Sequence, residues 1–172
     1  MKDKLIVFVA QGFGAGRIPR APGTFGSVLG LGWFALLLLT GNIWAFAVGT
    51  ILGLLASVWF CGRAEKILGQ TDPGSVVLDE IAAMPVCFGL LVVTQFLLNG
   101  SIPVAGKFFT ERWDAAVFIF IAFRVFDVWK PGSIRKSQNL PGGWGVTADD
   151  FLAAIYTNAG FVALMLFRNA VS

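Results

Sequence analysis

Histidine is absent from the 172 residues. No imidazole is therefore available as a metal ligand or as an acid–base group. Cysteine occurs twice, as Cys61 and Cys87, each inside an apolar stretch. Neither a metal-ligating pattern nor a disulfide framework is expected from them, and both read as buried thiols. Charge is scarce as well. Asp, Glu, Lys and Arg make up 13% of the chain, about half the usual share in soluble domains. With 56% hydrophobic residues and a mean hydropathy of +0.77, that scarcity points to an integral membrane protein. The net charge of +3 is small and dispersed, with no arginine-rich arm, which excludes nucleic acid as the partner. It suits basic loops facing anionic lipid headgroups.

The length accommodates one domain, residues 1–172, with no room for a second core. The apolar run after Lys2 and Lys4 covers only 5–10 and no small-residue cleavage site follows, so no cleaved signal peptide is expected. Further along, uncharged or nearly uncharged runs occupy 25–39, 43–61, 76–98, 115–126 and 151–167. The first two are joined by the minimal turn Gly41-Asn42 and read as a helical hairpin. The expected fold is all-α, a membrane helical bundle of about five spans with short loops. The connections 62–75, 99–114 and 130–148 are expected to be loops. Lys and Arg crowd the N-terminus, the 62–75 loop and the 127–150 region, which places those three at the cytoplasmic side of a bacterial inner membrane.

The remaining charge is concentrated where apolar runs begin or end. Asp79 and Glu80 open the third run, Asp127 closes the fourth, and Asp149 and Asp150 open the fifth. Antiparallel packing brings all of them to one height at the cytoplasmic face. Five uncompensated carboxylates at one level of a low-dielectric bundle repel one another, and a divalent cation relieves the repulsion. Oxygen donors without histidine or cysteine favour magnesium or manganese over zinc. The metal-ligand candidates are accordingly Asp79, Glu80, Asp127, Asp149 and Asp150. Neighbouring acids diverge by about 100° on a helix, so Asp149 and Asp150 are expected to serve different partners. The bland reading of such acids is that they complement a helix dipole, but dipoles do not call for paired acids inside apolar spans.

Arg124 lies three residues before Asp127, on the same helical face, and an internal ion pair explains it as well as a functional role does. Lys130 and Arg135 sit between the carboxylate clusters, where cations suit phosphate oxygens. Thr24, in Pro22-Gly23-Thr24-Phe25-Gly26-Ser27, offers a hydroxyl at a helix N-terminus. It reads equally as an anion contact or as a plain N-cap. Gly12-Phe13-Gly14-Ala15-Gly16 lacks the context of a nucleotide-binding loop.

Taken together, Gly12–Gly16 with 21–27, the segment 72–80, Phe123-Arg124-Val125-Phe126-Asp127 through Pro131, and 142–150 resemble the phosphatidylglycerophosphatase A family in order and spacing. The likeness covers nearly the whole chain. It implies a magnesium-dependent inner-membrane enzyme that hydrolyses phosphatidylglycerophosphate to phosphatidylglycerol and phosphate, without an obligate protein partner. The family's acidic positions fall on Asp79, Glu80, Asp127, Asp149 and Asp150, and its basic ones on Arg124, Lys130 and Arg135. Two departures stand out. Leu140-Pro141 replaces a histidine frequent before the glycine pair, and Val146-Thr147 replaces Ile-Met.

The residues present also eliminate other phosphatase chemistries. A phosphohistidine intermediate has no histidine to form on. A cysteine phosphatase needs Arg five residues after its Cys, and neither thiol has one. No Asp-x-Asp-x-Thr/Val segment occurs. Metal-activated water remains, with an aspartyl nucleophile as the covalent alternative. The expected catalytic set is Asp79, Glu80, Asp127, Lys130 and Asp150, with Thr24, Arg124, Lys130 and Arg135 contacting substrate phosphate. A proton-coupled transporter would also use intramembrane acids, and a non-catalytic lipid-binding subunit would tolerate their loss.

Overall fold

The computed structural model describes residues 1–171, and every regular element in that range is helical. The helices are α1 (Lys2–Ala10), α2 (Pro22–Leu38), α3 (Ile43–Leu68), α4 (Leu78–Cys87), α5 (Gly89–Asn99), α6 (Ala105–Glu111), α7 (Trp113–Trp129), α8 (Ser133–Ser137) and α9 (Gly143–Val171), with a 3₁₀ segment over Gly12–Arg17. Three stretches are long and apolar enough to cross a membrane: Ile43–Leu68, Leu78–Asn99 and Gly143–Arg168. The other two expected spans are shorter. α2 and α7 have 17 residues each, about 25 Å of helix against a hydrocarbon core of about 30 Å.

Three expected loops are partly helical. α3 continues through the charged residues Arg63, Glu65 and Lys66 to Leu68, where Gly69 closes it in the left-handed conformation (φ 64°). The 99–114 connection contains α6, and the 130–148 connection contains α8 and the first turns of α9. In each case charge or glycine content argues for a loop, but packing decides for a helix. Gly143 lies so close to Val58 and Gly62 of α3 that no side chain fits there. The hairpin turn is as expected: the Asn42 side chain accepts from the amides of Trp44 (2.8 Å) and Ala45 (3.1 Å) and caps α3.

α2 packs on α4 through small residues. A Cβ on Gly26 would meet the Val77 Cβ at 2.8 Å, and one on Gly30 would meet the Met84 Cβ at 2.7 Å. The Gly26–Gly30 spacing is thus a close-approach motif of the kind that drives helix association in lipid. The long apolar stretch 78–99 is interrupted at Phe88, three residues after Pro85, which has no N–H to donate. Asn158 of α9 occupies that break. Its Nδ2 donates to the Val86 carbonyl at 2.8 Å, and its Oδ1 accepts from the Leu90 amide at 3.2 Å. Backbone groups that water cannot reach are satisfied from a neighbouring helix.

The apolar core falls into a small cluster of Ala10, Cys61, Ala64, Val76 and Val146 and a larger one drawn from α2 to α9. In the larger cluster the aromatic rings pack together. Phe34 stacks on Phe88 with centroids 4.3 Å apart, and Phe108 meets Phe34 edge-on at 5.3 Å. Ile119, Phe123 and Met84 are fully buried in the same cluster. The charges collect at the end of the bundle where α2, α4 and α9 begin and α7 ends.

Candidate active site

Asp79 and Glu80 lie in the first turn of α4, Asp149 and Asp150 in the second turn of α9, and Asp127 and Lys130 at the end of α7. The five carboxylate residues are between 2% and 9% exposed, so the helix-dipole explanation, which asks only for surface acids, does not cover them. Two local arrangements repeat. The Glu80 amide donates to Asp79 Oδ1 (3.1 Å), and the Asp150 amide donates to Asp149 Oδ1 (3.0 Å). In each pair the first acid folds back on the chain and the second projects elsewhere.

The pairing of charges is uneven. Arg124 Nη1 contacts Asp127 Oδ2 at 2.6 Å and approaches Glu80 Oε1 at 3.8 Å. It also donates to Ser27 Oγ at 3.3 Å, and Ser27 in turn donates to the Gly23 carbonyl at 2.9 Å. Lys130 pairs with Asp149, and Gln138 Nε2 donates to the same carboxylate oxygen at 3.1 Å. Asp127 and Asp149 therefore each have a cation of their own. Asp79, Glu80 and Asp150 do not, apart from the long Arg124 contact, and each offers an oxygen lying within 4.8 Å of the others. Among the described residues, Glu80 Oε2 is the one buried side-chain polar atom with no hydrogen-bond partner.

An orphaned carboxylate oxygen costs free energy unless something positive meets it. Three carboxylates converging on one point, one of them with a free buried oxygen, fit a hard divalent cation. The donor set contains oxygen only, which is the chemistry that separates magnesium and manganese sites from zinc sites.

Lys130 is the C-cap of α7 and holds a left-handed backbone (φ 47°), followed at once by Pro131. That strained conformation turns its side chain back toward α9. Burial works against its ammonium, but the hydrogen bond and charge of Asp149 outweigh burial and hold its pKa above the ordinary lysine range. It is charged at any physiological pH.

Asp149 pairs with Lys130, and Asp150 joins the carboxylate trio. Asp127 stands with Arg124 rather than within the trio. Thr24 is half-buried in the first turn of α2 but is not its N-cap. That position belongs to Ala21, in the left-handed conformation (φ 51°), and the Thr24 amide donates to the Ala21 carbonyl at 3.0 Å. Arg135 is exposed on α8 and forms no ion pair among the described residues. The Gly12–Gly16 segment is structural: a Cβ on Gly12 would meet Val77 Cγ2 at 2.8 Å, and one on Gly16 would run into the Ser75 carbonyl.

A family model described as phosphatidylglycerophosphatase A matches residues 8–165. The chain belongs to the phosphatidylglycerophosphatase A family. The phosphatidylglycerophosphatase A of Escherichia coli (strain K12) is 32% identical over 149 residues, covering 86% of this chain and 76% of its own. That of Haemophilus influenzae is 34% identical over 152 residues, covering 88% and 83%. A Bacteroides thetaiotaomicron protein provisionally named phosphatidylinositol-3-phosphatase is 36% identical over 158 residues, 89% of each chain. No solved structure matches the chain.

Within this phosphatidylglycerophosphatase A fold, sequence reasoning missed three contributors. Gln138 bridges Asp149 and, at 3.4 Å, Asp72. Ser27 orients Arg124. Gly23 lets α2 approach the Glu80–Arg124 pair: a Cβ there would collide with Glu80 Oε1 and lie 3.1 Å from both Arg124 Nη atoms. The 26–30 glycine spacing was the readable signal that α2 lies unusually close to its neighbour.

Proposed function

We propose that the chain hydrolyses the terminal phosphomonoester of phosphatidylglycerophosphate, giving phosphatidylglycerol and inorganic phosphate, at the cytoplasmic face of a bacterial inner membrane. The observation that carries the reading is the convergence of Asp79, Glu80 and Asp150, with Glu80 Oε2 unpartnered, beside two partly buried cations. Asp79, Glu80 and Asp150 would hold magnesium, with Asp127 and Asp149 adjoining. When bound, magnesium would polarise the phosphoryl group and lower the pKa of the attacking water.

The chain's own groups supply the rest. Arg124, steered by Ser27 and Asp127, presents its guanidinium to the phosphate oxygens, where its planar donors suit the anion. Lys130, kept charged by Asp149, neutralises the charge that develops on those oxygens in the transition state. Thr24 and Arg135 complete the phosphate-contacting set as the lipid approaches. Water attacks phosphorus, the bond from phosphorus to the glycerol oxygen breaks, and the water's proton passes to a carboxylate of the site that does not hold the ion. That carboxylate returns the proton to the departing glycerol oxygen, so none is consumed. Burial of the carboxylates at one end of the bundle fits a substrate whose headgroup enters from the surface while its chains stay in the bilayer.

The same phosphomonoester chemistry applies to a phosphoinositide 3-phosphate, the headgroup named for the Bacteroides relative. Phosphate release from both lipids in detergent micelles, with magnesium and with EDTA, tests the reading. Release from phosphatidylglycerophosphate that EDTA abolishes is the expected result. No release from a folded protein would send attention to transport, and preferential release from phosphatidylinositol 3-phosphate would change the substrate while keeping the site. Asp127→Asn leaves Arg124 without its close partner. It is expected to reduce phosphate release at least about a hundredfold while helical content and membrane insertion persist. Full activity in that variant would remove Asp127 from the machinery.

A further inference from the structure

A second feature lies on the outer side of the same helical turn that carries Asp79 and Glu80. Leu78, Ile81 and Ala82 of α4 form one wall of an apolar groove of about 620 Å³, which α2 and α3 complete. Phe13, 66% exposed, stands at its headgroup end. Leu29 and Leu36 extend it along α2 almost to that helix's far end.

The glycines that line this groove differ from those that pack helices. Gly26 and Gly30 are forced to be glycine by α4. Gly32, on the same helix and within the groove, has no atom within 4 Å of where its Cβ would be. Nothing in the packing excludes a side chain there, and glycine in a helix costs about 1 kcal/mol relative to alanine. Across the groove, Gly53 of α3 leaves room for Trp33, whose Nε1 would be 3.2 Å from a Cβ at that position. The groove is therefore kept open by residue choice rather than by a failure of the helices to meet.

We propose that this groove between α2 and α3 seats one acyl chain of the lipid whose phosphate is cleaved at the carboxylate trio. The inference rests on the lipid phosphatase reading and adds to it the element that recognises the hydrophobic part of the substrate. The lining is apolar throughout its depth, as a chain requires. The glycerol and phosphodiester between the cleaved phosphate and the chains give the headgroup reach around the N-terminal turn of α4. A furrow filled by bulk lipid would need no such registration with the site.

The test uses the full chain in detergent with magnesium. Gly32→Leu projects into the groove from a position whose Cβ meets no neighbour. It is expected to raise KM for dipalmitoyl phosphatidylglycerophosphate about tenfold with kcat unchanged, and to leave the dihexanoyl substrate unaffected. Ile121→Trp, on the lipid-facing side of α7, should match wild type on both. A second readout is independent of turnover. A photoactivatable acyl chain on the substrate should label α2 and α3 around Trp33 and Leu36, in competition with unlabelled substrate. Equal KM values for Gly32→Leu and wild type on the long-chain lipid, or labelling spread equally over α7, would overturn the groove alone. A wild-type protein that releases no phosphate from any lipid would instead remove the reading on which the groove rests.

Discussion

Asp150→Asn should lower phosphate release by about a thousandfold and at the same time make the metal-free protein harder to unfold. The two effects follow from one arrangement. Asp79, Glu80 and Asp150 bring oxygens within 4.8 Å of one another, and Asp150 is 2% exposed with no cation directly on it among the described residues. Like charges so placed oppose folding. An amide of the same shape removes one of them and leaves the packing intact, so melting in EDTA should shift upward, by about 3 °C for each kcal/mol of repulsion relieved in a chain of this length. Magnesium reverses the order. At about a hundred times its Kd, a specifically bound ion stabilises by about 2.7 kcal/mol, and the variant, lacking one donor, should lose most of that gain. Scanning calorimetry or fluorescence-monitored melting in EDTA and in magnesium reads both signs. A lower melting temperature for Asp150→Asn in EDTA would mean that the trio is held by hydrogen bonds rather than strained by charge. An equal magnesium response in both proteins would mean that the ion binds elsewhere.

That a function opposes stability here explains why this part of the chain was the most legible. A buried acid without a structural excuse is conspicuous in an apolar sequence, and Asp79-Glu80 and Asp149-Asp150 announce themselves by lying inside runs that otherwise carry no charge. The convergence of those acids with Asp127 at one end of the bundle also follows from the alternation of spans, because each lies at a helix end on the same side. The distribution of partners does not follow. Nothing in the spacing says that Lys130 goes to Asp149 while Arg124 stays with Asp127, since that depends on the left-handed backbone at Lys130 and on how far α9 slides along α7. The helix boundaries were obscured for a different reason. The 62–68 segment is charged and 142–145 is glycine-rich, which both read locally as loop, but Gly62 and Gly143 pack against each other and hold α3 and α9 helical to the level of the site. Tertiary contact overrides propensity where two backbones touch.

Gly23→Ala should reduce phosphate release at least about a hundredfold, an outcome that no helix-propensity argument would anticipate. Gly23 is the second residue of α2, where alanine is ordinarily preferred by up to about 1 kcal/mol. Its added methyl, however, would coincide with Glu80 Oε1 and press within 3.1 Å of both terminal nitrogens of Arg124. One of the two must move. Glu80 is buried between α2 and α9, so its displacement disrupts the carboxylate trio. Arg124 is tied to Asp127 at 2.6 Å, so its displacement breaks the ion pair and withdraws the guanidinium from the phosphate. Either route costs the alignment on which the transition state depends, and a shift of about 1 Å is enough for a hundredfold loss. Stability should change little, because the helix gains what the crowded pair loses. Gly32→Ala is the matched control: the same substitution on the same helix, with open space instead of a charged pair, should keep near-full activity and melt at or slightly above the wild-type temperature. Kinetics and melting of the two variants side by side separate the propensity of α2 from the geometry it serves. Equal activity in both would mean that Glu80 and Arg124 have room to spare, and that the closeness of α2 to the site serves packing alone.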